Sequence, residues 1–281
     1  MEIRIFDEPV LFIDFSYYIL HKYFAIHTWC KLSKQTMTED EIIQRFEDKF
    51  EENFVKLAKK YCVQPDNVFF IGDCRRNNIW RKDIYPEYKS SRELLPTTIP
   101  PKFFDIVYKI IIPNITKKYN NHFLTVDHLE GDDIIAILTK YALKKDFSDI
   151  TIITNDNDYQ QLNHKHVKIY NLKNIDICKR GFGDPTQDLR QKILLGDKSD
   201  NIKPICSTKV ANGIIGLNET EFIEYLQNNR LETDYKFNES LIDFEHIPEP
   251  FVEDIQKNIR ILNRVLNVET KKRRNKKGVT A

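Results

Sequence analysis

The chain has no apolar run approaching the roughly 18 to 20 residues that span a bilayer. Its opening, MEIRIFDEPV, has neither the basic start nor the apolar stretch of an export signal, so a soluble globular protein that stays inside a cell is expected. It has no CxxC pair. Cys30, Cys62, Cys74, Cys178 and Cys206 are odd in number and far apart, which argues against a disulfide framework and a cysteine zinc site. An HExxH pair is also missing, and His164 and His166 lie in a polar NHKH segment that reads as a solvated turn. Net charge is nearly absent at +1. Any nucleic-acid partner would therefore be held by local basic patches and bound cations, not by the field of the whole molecule. No internal repeat is found.

What is present is a series of short apolar runs that end on acids. Val10 to Ile13 stops at Asp14, and Val68 to Gly72 stops at Asp73. Ile150, Ile152 and Ile153 lead through Thr154-Asn155 to Asp156 and Asp158. Helical patterns separate these runs: FSYYILHKYF after Asp14, and a 3.6-residue period from Asp40 to Tyr61 carried by Ile43, Phe46, Phe50, Phe54, Leu57 and Ala58. A helix is predicted over Lys102–Tyr119, and strands over His122–Val126 and His166–Tyr170. Strands alternating with helices predict an α/β fold around a mostly parallel sheet, whose carboxyl ends share the edge where ligands bind. At 41% apolar residues the 281-residue chain can bury a proper core.

More acids gather near these ends. Glu130, Asp132 and Asp133 enter a helix whose apolar side is Ile134, Ile135, Ile137, Leu138, Tyr141 and Ala142. Carboxylates in a first turn are ordinary, favoured by the dipole and the unpaired amides. Asp156 and Asp158 are harder to explain that way, because an extended chain would point both side chains to one side. After Gly181-Phe-Gly-Asp-Pro185 the strand patterns stop. Helices are predicted at Gln187–Leu195, Thr208–Ile215, Glu219–Gln227 and Glu249–Leu266, with a boundary near Pro185. Asp197 and Asp200, in LLGDKSD, sit three apart at a helix end, where an isolated Asp is often only a cap. Collected along one edge, nine such carboxylates would repel by a few kcal/mol per close pair, on the order expected at moderate dielectric. Divalent cations are required. Oxygen-only ligands point to Mg²⁺ or Mn²⁺, and more acids than one ion can use point to two. A pair of such ions suits phosphodiester hydrolysis.

The stretch from Cys74 to Pro101 differs in composition. Arg75, Arg76, Arg81, Lys82, Lys89 and Arg92 alternate with Trp80, Tyr85 and Tyr88. One reading is a solvated loop; the other is a surface insert whose cations hold phosphates while its rings stack on bases. Six cations lie between Lys271 and Lys277, a tail expected to be disordered and able to grip phosphates non-specifically.

Taken in order, Asp14, GDC at Gly72–Cys74, YPEYKSSR at Tyr85–Arg92, LEGDD at Leu129–Asp133, TNDND at Thr154–Asp158 and LLGDKSDNI at Leu194–Ile202 resemble the motifs of the flap endonuclease and 5′-nuclease superfamily. The resemblance runs from about Val10 to Ile215 and is nearest the phage-type members; SLIDFEHIPEPFVEDI resembles the T-even phage ribonuclease H branch. It implies a PIN-like nuclease core over residues 1–185 with a helical arch insert at about 74–101. It also implies a helical duplex-binding subdomain over 186–269 and a basic tail over 270–281. Asp14, Asp73, Glu130, Asp132 and Asp133 match the acids of the tighter metal site, and Asp156, Asp158, Asp197 and Asp200 those of the second. Lys89 and Arg92 match the basic pair at the scissile phosphate, with Tyr88 placed to stack on a displaced base. The family's glycine-rich hairpin is replaced here by Asn201-Ile-Lys-Pro-Ile-Cys-Ser-Thr-Lys-Val210, which leaves Lys203 and Lys209 to meet duplex phosphates.

The implied protein is a monomeric divalent-metal-dependent 5′ nuclease acting on DNA and RNA/DNA hybrids with 5′ single-stranded ends. A single-strand-binding protein or a sliding clamp is a candidate partner. Two rivals are a catalytically silent branched-DNA scaffold and a PIN-type ribonuclease; the intact acid set disfavours the first, and the basic insert and helical half disfavour the second.

Overall fold

Apolar runs become parallel strands here because both of their faces are covered, which removes the need for polar alternation. In this computed structural model, which describes residues 8–91, 99–145 and 149–258, the strands are Val10–Asp14 (β1), Val68–Ile71 (β2), His122–Leu124 (β3), Ile150–Ile153 (β4) and Val167–Tyr170 (β5). They form a five-stranded sheet in the order β3-β2-β1-β4-β5, every neighbouring pair parallel. The chain runs outward from β1 to β2 and β3, then crosses back to β4 on the other side of β1. That reversal opens a crevice at the carboxyl ends of β1 and β4, the topological switch point where such sheets bind ligands.

Alternate strand residues divide two cores. Leu11, Ile13, Val68, Phe70 and Ile153 face helices α1 (Phe15–Ser33) and α2 (Glu39–Lys60). Val10, Phe12, Phe69, Ile71, Ile150 and Ile152 face the helix that follows Glu130. α2 starts on a capping box, Thr38 with Glu41, and buries Ile42, Ile43, Phe46, Phe50, Phe54 and Ala58. A short helix, α3, spans Arg81–Ile84. The predicted helix near 102–119 is α4 (Pro101–Ile106) joined to α5 (Ile112–Tyr119) through a π turn at Val107–Ile111. Pro113 supplies no amide hydrogen for the regular bond to Lys109, and the Ile112 amide reaches back to Val107 instead.

The second half is helical: α6 (Gly131–Leu143) closes the first half, then α7 (Pro185–Leu195), α8 (Thr208–Ile214), α9 (Glu219–Asn228) and α10 (Glu232–Ile242) pack around Ile193, Leu194, Ala211, Phe222 and Leu226. α10 has no counterpart in the sequence reading. Its buried stripe of Tyr235, Asn238, Leu241 and Ile242 carries an amide at its centre, and Asn238 donates to the carbonyls of Ile193 and Lys203 at 2.9 Å each. From Phe244 the chain re-enters the first core, where Phe244, Ile247 and Ile255 join the residues packed on α6. The helix predicted from Glu249 is described as far as residue 258. Among the described residues no helix is long and apolar enough to cross a membrane.

The turn after α7 depends on Gly196, at φ 64°. A Cβ there would lie 2.5 Å from the Ile202 carbonyl and 2.6 Å from that of Lys203. This close approach lets Asp197 and Ile202 exchange backbone hydrogen bonds and folds the acid-bearing loop onto α7. Gly196→Ala is expected to lose at least about 1–3 kcal/mol of stability; an unchanged urea midpoint would show that the loop tolerates another path.

Candidate metal centre

The acids are delivered by element ends. Asp14 closes β1 and caps α1, its Oδ1 accepting from the Tyr17 amide at 3.0 Å and its Oδ2 from the Thr154 hydroxyl at 2.9 Å. Asp73 follows β2 and accepts from the Ser16 hydroxyl at 2.6 Å and the Gly131 amide at 2.8 Å. Gly131 lets α6 start close to the strand ends: a Cβ there would stand 3.2 Å from Asp73 Oδ1 and 3.3 Å from the Ile71 carbonyl, tight enough to push either by a few tenths of an ångström. Three strands and one helix end therefore bring Asp14, Asp73, Asp132 and Asp156 to one edge. Asp14 feels Asp73 and Asp156, and all four acids surround the buried Tyr159.

Two oxygen-only groups are close enough to share an ion: Glu130, Asp132 and Asp133, and Asp158, Asp197 and Asp200, each with oxygens within 4.8 Å of one another. A cleft of about 400 Å³ lined by Asp14, Tyr17, Asn155, Asp156, Asn157, Lys192 and Asp197 joins the edge to the second group. Tyr88 also bridges the two groups, its hydroxyl contacting Glu130 at 2.9 Å and Asp200 at 3.1 Å.

Neutralisation is uneven, which the sequence did not anticipate. Arg81 is 2% exposed and forks onto Asp133 at 2.7 and 2.8 Å, reaches Glu130 at 3.2 Å, and donates to the Leu241 carbonyl at 2.7 Å. Trp80 Nε1 adds a third donor to Asp133 at 3.0 Å. Lys89 pairs with Glu130 and lies 3.5 Å from Asp200. Lys192 pairs with Asp158 at 2.6 Å and Asp197 at 2.5 Å. Lys192 was missed because a lone lysine on an amphipathic helix carries no signal of its own; its place two residues before LLGD was the clue. By contrast, among the described residues Asp14, Asp73, Asp132 and Asp156 form no ion pair.

The electrostatics follow. Burial, then repulsion from Asp73, raises the Asp14 carboxyl to about 7. Burial and the neighbouring Asp133 and Glu130 push Asp132 well above the usual carboxylate range. Burial also opposes ionisation of Asp197, but Lys192 and Ser199 together outweigh it and hold that carboxyl down at about 2. An edge of crowded, cation-free carboxylates with hard oxygen donors fits a divalent cation.

Several expectations need correction. Arg81 does not lie on a nucleic-acid surface: it is the buried counter-ion of Asp133. Tyr88, 3% exposed, packs in the helical core and donates its hydroxyl to acids, so it has no free face for a base. The stretch Ile79–Arg81 of the basic segment is thus buried and wedged between the halves, while Arg75 and Arg76 before it are exposed. The Asp133 carboxylate, expected as a metal ligand, accepts hydrogen bonds from Arg81 and Trp80. Asp156 and Asp158 do not share an extended strand: Asp156 caps a 3-10 turn, Asn157–Leu162, while Asp158 turns to Lys192. Arg75, Arg76, Lys203 and Lys209 are exposed and Lys82 is half-buried. Arg92 and the Lys271–Lys277 tail lie outside the described residues.

This arrangement defines a class, parallel α/β proteins that gather cation-binding acids at a topological switch point. The profile described as 5′-3′ exonuclease, N-terminal resolvase-like domain, matches residues 9–185, and the chain belongs to that family. It is 28% identical over 231 residues to a 5′-3′ exonuclease of Buchnera aphidicola subsp. Acyrthosiphon pisum, covering 79% of this chain and 74% of that one. It is also 28% identical over 223 residues to the ribonuclease H of Enterobacteria phage T4, covering 72% and 71%. Its fold is similar to that of a bacteriophage T5 flap endonuclease solved as a pseudo-enzyme-product complex with DNA and metal ions. There the TM-score is 0.65 at 15% identity, with 92% of this chain and 100% of that one covered.

Two outcomes are expected. Arg81→Met, which strands Asp133 and Glu130 in the interior, should cost about 3–5 kcal/mol in denaturant unfolding; a loss below 1 kcal/mol, the order of an exposed pair, would contradict the buried-counter-ion role. Asp14 in the metal-free protein holds a proton that the unfolded chain releases between its ordinary value and about 7. Its contribution to stability is therefore lost as pH rises through that window, and a divalent cation that replaces the proton reverses the trend. Mg²⁺ should raise the melting temperature more near pH 8 than near pH 5, and an equal rise at both would contradict this assignment.

Proposed function

We propose that this chain is a divalent-metal-dependent, structure-specific 5′ nuclease that hydrolyses phosphodiesters of 5′ flaps and RNA primers in replication and repair. The observation that carries the reading is the quartet Asp14, Asp73, Asp132 and Asp156 at the switch point, which forms no ion pair among the described residues, beside acids already paired with Arg81, Lys89 and Lys192. A silent scaffold has no physical reason to maintain that repulsion. The names of the relatives, a 5′-3′ exonuclease and a ribonuclease H, support it, as does the flap endonuclease of like fold with DNA and metal ions.

Two Mg²⁺ or Mn²⁺ ions would be held, one by Asp14, Asp73, Glu130 and Asp132 and one by Asp156, Asp158, Asp197 and Asp200. When bound, such ions make a water nucleophilic at neutral pH and stabilise the leaving oxygen. The protein's own groups do the remainder. Lys89 is held in the left-handed backbone region, φ 57°, by its amide bond to the Asp200 carbonyl at 3.0 Å. That fixes its ammonium between Glu130 and Asp200, where it would meet charge developing on a phosphate placed beside these acids. Lys192 balances Asp158 and Asp197 until a cation shares them. Arg75 and Arg76, exposed just beyond Asp73, offer two cations to the strand entering the site, and Lys203 and Lys209 two more to duplex phosphates. Nucleic acid with a free 5′ single strand is the partner this reading requires, and one chain holds every group the reaction uses.

With a 5′-labelled flap and an RNA/DNA hybrid, Mg²⁺ should release short products and chelator should abolish them. Asp132→Ala should remove turnover with little loss of binding. Lys89→Ala should slow it by roughly 10²–10³, the magnitude for one electrostatic stabiliser. Cleavage that survives chelation, or Asp132→Ala with native turnover, would remove the mechanism.

A further inference from the structure

Away from the acids, a groove of about 290 Å³ runs along the seam between α1 and α2. Its composition differs from that of the core it borders. Tyr18 lines it and is completely buried among Phe50 and Phe70, yet among the described residues no group hydrogen-bonds its hydroxyl. Buried hydroxyls nearly always have a partner, and one without is destabilising. Two cations open onto the same groove without a counter-ion. Among the described residues Lys22 and Arg45 form no ion pair, and burial followed by repulsion from Lys56 lowers the Lys22 pKa. Glu52, the acid on the rim, is already claimed by Lys49 and Lys56. Arg45 lies 3.8 Å over the ring of Trp29, which is 36% exposed.

These features share one chemistry. Unpaired cations call for an anion, an exposed indole stacked with a guanidinium calls for a flat π system, and a lone buried hydroxyl calls for an acceptor or donor at the floor. The volume is at the lower limit of ligand sites and suits a single unit. Tyr18 is one helical turn from Asp14, and Trp29 lies eleven residues further on, about 16 Å along the helix axis.

We propose that the α1–α2 groove is a nucleotide-binding subsite, holding one unit of a single strand with its phosphate at Lys22 and Arg45 and its base at Trp29. It is separate from the hydrolytic centre, because none of its residues touches the acids that would hold metal. It adds to the nuclease reading without depending on it, since occupancy is measurable in chelator.

Trp29 is the exposed one of two tryptophans, Trp80 being 3% exposed, so its emission reports on the groove. Oligothymidylate titrated into the full chain in chelator should quench that emission. The double variant Lys22→Glu, Arg45→Glu should weaken the quench by about tenfold or more while leaving Mg²⁺-dependent cleavage of a nicked duplex intact. Tyr18→Phe should keep or raise the melting temperature, because it deletes an unsatisfied hydroxyl, and should still weaken the quench. A quench unmoved by both variants, absent altogether, or matched by inorganic phosphate alone would overturn the proposal. In the unsubstituted chain, an absent quench with cleavage present sinks the subsite only, and absent cleavage with the quench present sinks only the nuclease.

Discussion

Carboxylates crowded at the carboxyl edge of a parallel sheet repel one another, and the fold divides that repulsion into two parts. Arg81, Lys89 and Lys192 come from the segment after β2 and from α7, and they neutralise Asp133, Glu130, Asp158, Asp197 and part of Asp200. Among the described residues, Asp14, Asp73, Asp132 and Asp156 are left crowded without a paired cation. The first set can therefore assemble with the fold alone, while in the second, burial and neighbouring carboxylates hold Asp14 and Asp132 above the usual carboxylate range. This division explains why one acid-rich site contains both rigid, buried ion pairs and acids whose protonation is shifted upward.

Arg81 also joins the two halves of the molecule. Its guanidinium satisfies acids at the start of α6 and, through the Leu241 carbonyl, the end of α10. Ile79 and Tyr88 on either side of it pack into the helical half. The segment that bears the basic cluster is thus a wedge whose cations face inward at Arg81 and Lys89 and outward at Arg75 and Arg76. A substrate contacting the outer cations would act on the same short stretch of chain that holds Asp133, Glu130 and Asp200 in place, which couples substrate grip to the alignment of the acids.

The sheet was legible because its signals are local. Strands covered on both faces read as short apolar runs, and each of the runs ending at Asp14, Asp73 and Asp156 was followed by a helix or a turn that placed the acid at the edge. The oxygen-rich site was legible for the same reason. What escaped depends on partners far apart in the chain. Nothing near Arg81 indicates that Asp133, 52 positions later, would bury it, and a basic residue among aromatics reads as surface. Tyr88 was misread for the same cause. α10 escaped because Asn238 interrupts its apolar stripe, and that amide makes sense only beside the open carbonyls of Ile193 and Lys203. Asp158 was named among the acids, but its direction escaped because the chain turns immediately after Asp156, a change of period that two residues cannot announce.

The central claim is that cations fill the space the side chains leave. Crystals of the protein grown with Mn²⁺ and measured for anomalous scattering test it most directly. The account places density among Asp14, Asp73, Glu130 and Asp132, with a second peak near Asp158, Asp197 and Asp200. Density elsewhere, or none at saturating Mn²⁺ with those acids in the positions described, would contradict it.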